Sequence, residues 1–142
     1  MDYEELAVEF MNNMRILQTA KKQRFIQEGV HGEAFVLHFV REKDYDVIPS
    51  NISDAMEISS ARVAAALNSL ENKGMITREI DTKDRRRIIV KITPKGAEHA
   101  EEQQKAIIRH IRSILTVLGE YDAKEFVRIM KRVAEALSDP RE

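Results

Sequence analysis

The feature that most constrains the fold is a pair of short apolar patterns, separated by a tight break, in residues 51–75. The first places apolar residues on one helix face: Ile52, Ala55 and Met56. It stops at Ile58-Ser59, and a second pattern follows with apolar residues over two turns: Val63, Ala66, Leu67 and Leu70. Two short helices joined by a tight turn are a helix-turn-helix.

The sequence also predicts the two ends and the polar face of the second helix. Ser59 or Ser60 can cap its first turn, and Gly74 is placed to end it. The face opposite the apolar residues carries small or polar side chains: Ala61, Ala65, Asn68, Ser69 and Asn72, with Arg62 at its edge. A helix that enters a major groove needs such a face, without bulk or negative charge. A solvent-facing side is the alternative interpretation.

A β-hairpin is predicted directly after these helices. Residues 75–81 and 86–92 are strand-like, the second rich in β-branched side chains, and residues 82–85 have turn chemistry. Alternation places Ile88, Val90 and Ile92 on one face and the intervening residues, Arg87, Ile89 and Lys91, on the other. The hairpin can therefore pack on the helices while its charged tip stays in solvent.

Charge is concentrated in this part of the chain. Nine basic and four acidic residues lie between Arg62 and Gly96, although the whole chain has a net charge of −1. One basic surface with acidic flanks can bind a polyanion, whereas a solvated charged face is the alternative. Asp84 can accept hydrogen bonds from a neighbouring arginine and fix it before DNA arrives.

The flanking segments are predicted to be helical. A helix begins near Tyr3, and a short buried helix covers 34–40. YDVIPS is a candidate short strand that Pro49 stops, after which either Ser50 or Asn51 can cap the next helix. Thr93 and Pro94 open a long helix that Gly119 breaks, and a last helix starts near Asp122. Broad apolar faces run along the first helix and the last two: Leu6, Phe10, Met14, Leu17; Ile107, Ile111, Ile114; Phe126, Ile129, Met130, Val133, Leu137. They indicate a homodimer, with a monomer core as the alternative.

Composition excludes several classes of protein. The 142 residues suit one domain, and the absence of cysteine excludes disulfides and thiolate metal sites. No apolar run approaches the roughly 20 residues of a membrane span, and the N-terminus opens with acids, so a cytoplasmic location without membrane contact is expected. No P-loop, nucleophile elbow or dinucleotide glycine pattern is present, so neither an enzyme nor a cofactor is predicted.

The order of two short helices, LENKGMI, a hairpin with DTKDRRR, and VKITPKG opening a long helix resembles the winged-helix regulators of the multiple antibiotic resistance regulator (MarR) family. The specific match spans 52–96. The resemblance implies that the helix over 59–73 is the recognition helix and that Asp84, Arg85 and Arg86 match the Asp-x-Arg element of the wing. By the same resemblance Arg86 is the arginine that enters the minor groove.

Two points limit what the resemblance carries over. Many relatives have a Thr-Arg pair where this sequence has Ala64-Ala65, so base preference does not transfer. In the family, small anions, phenolic compounds or metals bind between the dimer helices and the DNA-binding lobe. Here an anion or aromatic effector is expected near the junction of 30–41 with the first helix, and the sequence identifies no particular pocket residue. A metal-responsive regulator is an alternative because of the histidine pairs: His31 with His38, and His99 with His110.

The predicted fold is mainly α with a small β-hairpin: one domain over 1–142, with a winged helix-turn-helix lobe at 31–96 and helical dimerisation segments at 1–28 and 97–142. The predicted function is a homodimeric repressor on a pseudo-palindromic duplex DNA operator, with release by a small-molecule effector as a further expectation; a winged-helix module that binds protein is the alternative. The predicted DNA-binding residues are Ser50, Asn51, Ser59, Ser60, Arg62, Ala65, Asn68, Ser69, Lys83, Asp84, Arg85 and Arg86.

Overall fold

The predicted order of helices and hairpin is the order found in the structure. The computed structural model describes residues 2–28 and 31–138, with the backbone alone described at 20–28 and 31. Its elements are α1 (Tyr3–Glu28), α2 (His31–Glu42), α3 (Pro49–Met56), α4 (Ser60–Asn72), β1 (Ile76–Ile80), β2 (Ile88–Ile92) and α5 (Pro94–Leu137). The predicted fold class is confirmed, and contacts divide the chain into two compact units, Met1–Ala100 and Glu101–Glu142.

The first helix of the helix-turn-helix begins earlier than its predicted caps allow. Pro49 occupies the first helical position, where its missing N–H costs nothing, so the cap position falls on Ile48. The predicted caps were Ser50 or Asn51, and this prediction was wrong in position. Asn51 still contributes, because its side-chain oxygen accepts a hydrogen bond from the Ile48 N–H at 2.9 Å. The helix ends at Met56, and its C-cap residue, Glu57, has a left-handed φ of 54°.

Helix α4 has the predicted ends. The Ser59 hydroxyl accepts a hydrogen bond from the Arg62 N–H at 3.2 Å, which satisfies a donor of the first turn. At the other end, the Gly74 N–H donates to the Glu71 carbonyl and the Met75 N–H to the Leu70 carbonyl, both at 2.9 Å. This pair of bonds is a Schellman motif, and it turns the chain directly into β1.

One hydrophobic core holds α2, α3, α4 and the hairpin together. Its members are Val36, Leu37, Val40, Val47, Ile52, Val63, Leu67, Leu70, Ile76, Val90 and Ala100. Burying one large aliphatic side chain contributes about 1.5–3 kcal/mol, so this cluster fixes the position of α4. The strand predicted in YDVIPS is reduced to a single antiparallel bridge, in which the Val90 N–H donates to the Val47 carbonyl at 2.8 Å.

The hairpin is antiparallel, with Ile76 opposite Ile92 and Ile80 opposite Ile88. The strands are shorter than predicted, and one face prediction was wrong. Val90 is buried as expected, but Ile88 is 42% exposed, whereas Ile89 on the other face is only 8% exposed. Ile88 lies at the tip end of the strand beside Ile80, which is itself 67% exposed, so alternation alone cannot bury it.

Helix α5 begins as predicted. The Thr93 hydroxyl accepts a hydrogen bond from the Gly96 N–H at 3.0 Å, and Pro94 is the first helical residue. The predicted break is present at Gly119, with φ 78° and ψ 167°, although helical structure resumes at once rather than at Asp122. Large apolar side chains are exposed on α1 and on the second unit, among them Leu6, Phe10, Leu17, Ile107, Ile111, Ile114, Phe126 and Met130.

Candidate nucleic-acid interface

The solvent face of α4 is free of bulk and of acids over its first two turns. Val63, Leu67 and Leu70 are buried, which fixes the rotation of the helix on the core. The predicted contact residues on the opposite face are exposed, except that Ser69 is half-buried: Ser59, Ser60, Arg62, Ala65 and Asn68. The Ser59 hydroxyl oxygen caps the helix by accepting a hydrogen bond from the Arg62 N–H. Arg62 itself is exposed.

The two predicted contact residues of α3 differ in their surroundings. Ser50 is exposed, but Asn51 is half-buried and its side-chain oxygen accepts the Ile48 N–H. Asn51 therefore supports the start of α3.

The tip of the hairpin is a tight, internally bonded turn. The Asp81 N–H donates to the Arg87 carbonyl at 2.9 Å, and the Arg87 N–H donates to the Asp84 carbonyl at 3.0 Å. Asp81 is only 8% exposed, and its carboxylate accepts the Lys83 N–H at 2.9 Å and lies 3.8 Å from the Arg87 guanidinium. Asp81 thus fixes the base of the tip.

Asp84 organises the predicted minor-groove arginine. Its Oδ1 accepts hydrogen bonds from the Arg86 backbone N–H at 3.1 Å and from Arg86 Nε at 3.2 Å. The hydrogen bonds from Arg86 keep the pKa of the Asp84 carboxyl below its usual value. The Arg86 side chain remains 91% exposed, so a charged group projects from an ordered turn. Lys83 and Arg85 are also exposed at this tip.

An interaction that the sequence did not predict joins the hairpin to α4. Arg78, on β1, donates from Nη2 to Asn68 Oδ1 at 2.7 Å and to Glu71 Oε1 at 3.2 Å, and from Nε to Glu71 Oε2 at 3.2 Å. These hydrogen bonds lower the pKa of Glu71. The only sign of this interaction in the sequence was the opposite charge of Glu71 and Arg78. These residues lie seven positions apart across a turn, so neither a helix nor a strand repeat predicts their contact.

A second polar cluster holds the C-terminal end of α4. Lys73 Nζ lies 2.7 Å from Glu33 Oε2, at the start of α2, and Lys95 Nζ donates to the Lys73 carbonyl at 2.8 Å. Burial by itself raises the pKa of Glu33, but hydrogen bonds from Lys73 and Ser69 and the charges of Lys73 and His99 outweigh it and lower the pKa. Ser69 of α4 thus contacts Glu33 of α2.

Only part of the chain that the metal-site and effector hypotheses concern lies among the described residues. Over residues 2–28 and 31–138, no group of three or more His, Asp or Glu side chains is placed to hold a metal ion. His38 lies 3.5 Å from Glu42. Val30, where the expected effector region begins, and the side chain of His31 lie outside the described residues. In the described part of the chain, no helix combines the length and apolarity needed to cross a membrane.

A helix-turn-helix whose second helix presents an open face, followed by a basic antiparallel hairpin, defines a winged helix-turn-helix. The chain belongs to the winged helix DNA-binding domain family, whose model matches residues 34–111.

Individual relatives agree with this assignment. The chain is 26% identical over 84 residues to a putative transcriptional regulatory protein for the hcr operon of Thauera aromatica, a match that covers 59% of this chain and 51% of that protein. The chain thus spans about half the length of the curated relatives it matches. These relatives are named as regulators of transcription, in agreement with the prediction that the chain is not an enzyme.

Solved structures match over nearly the whole chain. YusO of Bacillus subtilis is 25% identical, with a TM-score of 0.71 over 92% of this chain and 98% of that one. A point mutant of Staphylococcus aureus MepR, bound to an oligodeoxyribonucleotide, is 18% identical, with a TM-score of 0.62 over 97% of this chain and 99% of that one. These structural neighbours are MarR-family regulators, which confirms the resemblance seen in the sequence.

Proposed function

We propose that the chain is a sequence-specific repressor of transcription that binds duplex DNA as a homodimer. The observation that carries the proposal is the pairing of an α4 face that is open and free of acids over its first two turns with an ordered hairpin tip whose Arg86 side chain is 91% exposed. A helix of this kind fits the major groove, and an arginine at a wing tip fits the narrow minor groove, where negative potential is strongest. The oligonucleotide-bound MepR structure supports DNA as the partner.

Dimerisation is supported by the exposed apolar faces. Phe10 of α1 is 68% exposed, and Ile107 and Ile108 of the second unit are each 55% exposed. Soluble monomers rarely leave such contiguous apolar surface uncovered, so a second copy is the expected cover. A two-fold dimer holds two recognition helices about one DNA turn apart, which favours a pseudo-palindromic operator.

Release by a small-molecule effector is part of the proposal. It rests on the resemblance to MarR-family regulators. An effector that binds the DNA-free arrangement more tightly would shift the population of dimers away from the operator.

The test is selection of random duplexes by the purified protein, followed by anisotropy titrations of the enriched duplexes over a salt series. The expected result is an enriched inverted repeat with half-site centres about 10 base pairs apart and a steep loss of affinity with salt. A folded protein whose pools never converge would contradict the proposal and would favour the protein-binding winged helix. Adding candidate phenolic or anionic effectors to the titrations tests the release step.

A further inference from the structure

The contact between Arg78 and Asn68 fixes which atom of Asn68 faces the hairpin. A guanidinium has only N–H donors, so the Asn68 atom 2.7 Å from Arg78 Nη2 must be the carbonyl oxygen. The orientation of the amide is therefore determined by chemistry. Its other end, the Nδ2 amino group, can only donate hydrogen bonds.

Glu71 holds Arg78 in the position that makes this contact. The carboxylate accepts from Arg78 at three atoms, the backbone N–H, Nε and Nη2, each at 3.2 Å. The Arg78 side chain is only 27% exposed, so much of it is shielded from competing water. The three residues form one chain of charge-assisted bonds from β1 to the exposed face of α4.

We propose that Asn68 is a specificity-determining residue that reads guanine, and that Arg78 sets this preference by occupying its side-chain oxygen. Asparagine ordinarily pairs with adenine, because its oxygen accepts from N6 while its amino group donates to N7. Here the N6 donor of adenine would have to use the second lone pair of an oxygen that already accepts from Arg78 at 2.7 Å, and the positive charge of the guanidinium opposes that approach. Guanine replaces that donor with the O6 acceptor, and both N7 and O6 accept. The inference rests on the proposed function of α4 as the recognition helix.

The experiment measures the ratio of affinities for guanine and adenine at each position of the duplex obtained by selection, using the full chain. The position read by Asn68 is the one at which Asn68→Ala loses its base preference. At that position the parent should bind guanine about fivefold or more tightly than adenine, the value of roughly one net hydrogen bond. In Arg78→Met the oxygen is released and the amide can rotate, so the ratio should fall towards one or reverse.

A ratio of two affinities on one protein separates this effect from general losses. Arg78→Met leaves the Glu71 charge uncompensated, which lowers affinity for every duplex equally. Arg128→Met is the control for the loss of one paired arginine, since Arg128 Nη2 lies 2.8 Å from Glu125 Oε2 in the second unit. It removes the same charge and should leave the guanine-to-adenine ratio unchanged. Thermal unfolding of each variant confirms that it is folded.

Three results would overturn the inference while leaving the proposed function intact. The parent could prefer adenine at the Asn68 position, Asn68→Ala could weaken binding to all sequences by one factor, or Arg78→Met could keep the parental ratio. A folded parent that binds no duplex selectively would instead overturn the proposed function and this inference with it.

Discussion

Two arginines of the same basic segment have different surroundings. The Arg86 side chain is 91% exposed and held by one carboxylate oxygen of Asp84, whereas that of Arg78 is 27% exposed and held by Glu71 and Asn68. An exposed, oriented cation suits contact with a phosphate-lined groove. A half-buried cation bonded on several sides suits the orientation of its neighbours.

Arg86→Ala should weaken DNA binding and make its salt dependence shallower, because one cation per protomer no longer releases counterions. The expected change is about one unit of the log–log slope for each Arg86 lost. Anisotropy titrations of the selected duplex over a salt series measure both effects. Arg128→Ala serves as the control, and a parental slope in Arg86→Ala would show that the wing assignment is wrong.

Glu33 should make the stability of the first unit depend on pH. The pKa of its carboxyl is lowered from 4.5 in the folded protein, so its stabilising effect is complete above that value and is lost as the pH falls through the lowered pKa. Glu33→Gln should cost on the order of 0.5–1 kcal/mol at pH 7, since the pair with Lys73 is partly screened by solvent.

Urea unfolding at pH 7 and at pH 3 measures this difference in free energy. The gap between parent and Glu33→Gln should close at the acidic pH, because the parental carboxyl is then increasingly protonated. Glu98→Gln replaces an exposed carboxyl of α5 and should show no comparable gap. A gap of constant size at both pH values would contradict the assigned role of Glu33.

At the scale of elements, the start of α5 is packed unusually closely against the loop before β1. A Cβ on Gly96 would overlap the carbonyl oxygen of Met75 and lie 2.9 Å from Ile92 Cγ1. The same loop is bonded to the residue before the helix, since the Thr93 N–H donates to the Met75 carbonyl at 3.0 Å. At Gly96, the junction between hairpin and helix therefore has room for a hydrogen atom but not for a methyl group.

Gly96→Ala should destabilise the protein by about 1–3 kcal/mol, because backbone atoms must move to admit the methyl group. Gly32→Ala is the matched control in α2, where the added Cβ meets nothing within 4 Å beyond its chain neighbours and the backbone of its own helix. That substitution should be neutral or slightly stabilising, because alanine is the better helix former. Denaturant midpoints compare the two, and equal midpoints would contradict the close approach at Gly96.

At the scale of the whole molecule, two compact units each expose apolar surface. In the first unit many of the exposed large apolar side chains lie along α1, and in the second unit they lie along α5 on both sides of the break at Gly119. The described core includes no residue of α1 and none beyond Ala100. That these exposed faces of α1 and α5 serve dimerisation remains part of the proposed function.

Phe10→Glu and Ile111→Glu should each convert the proposed dimer to monomer. A charge placed in an apolar interface must be desolvated without a partner, and losing the second half-site should lower operator affinity at least roughly tenfold. Sedimentation velocity gives the mass of each variant in solution. Tyr45→Glu alters a residue that is 51% exposed outside these helices and should remain dimeric. A parent that sediments as a monomer would exclude the dimer directly.

The sequence by itself determined the features that depend on neighbours in the chain. The caps at Ser59 and Thr93, the turn at Gly74 and the break at Gly119 were predictable, because helix ends are fixed by residues within a few positions. The apolar spacing of α4 likewise predicted which face is buried. Even the cap of α3 was misplaced by only two or three residues, where Pro49 outweighed the capping side chains.

Only the tertiary structure decided the contacts between residues that no local spacing brings together. The Arg78–Asn68 bond, the Glu33–Lys73 pair and the Val47–Val90 bridge each join different elements. The exposure of Ile88 follows from where the core ends, which strand alternation does not encode. Such contacts depend on how elements pack, and packing is set by the whole core at once rather than by any short segment.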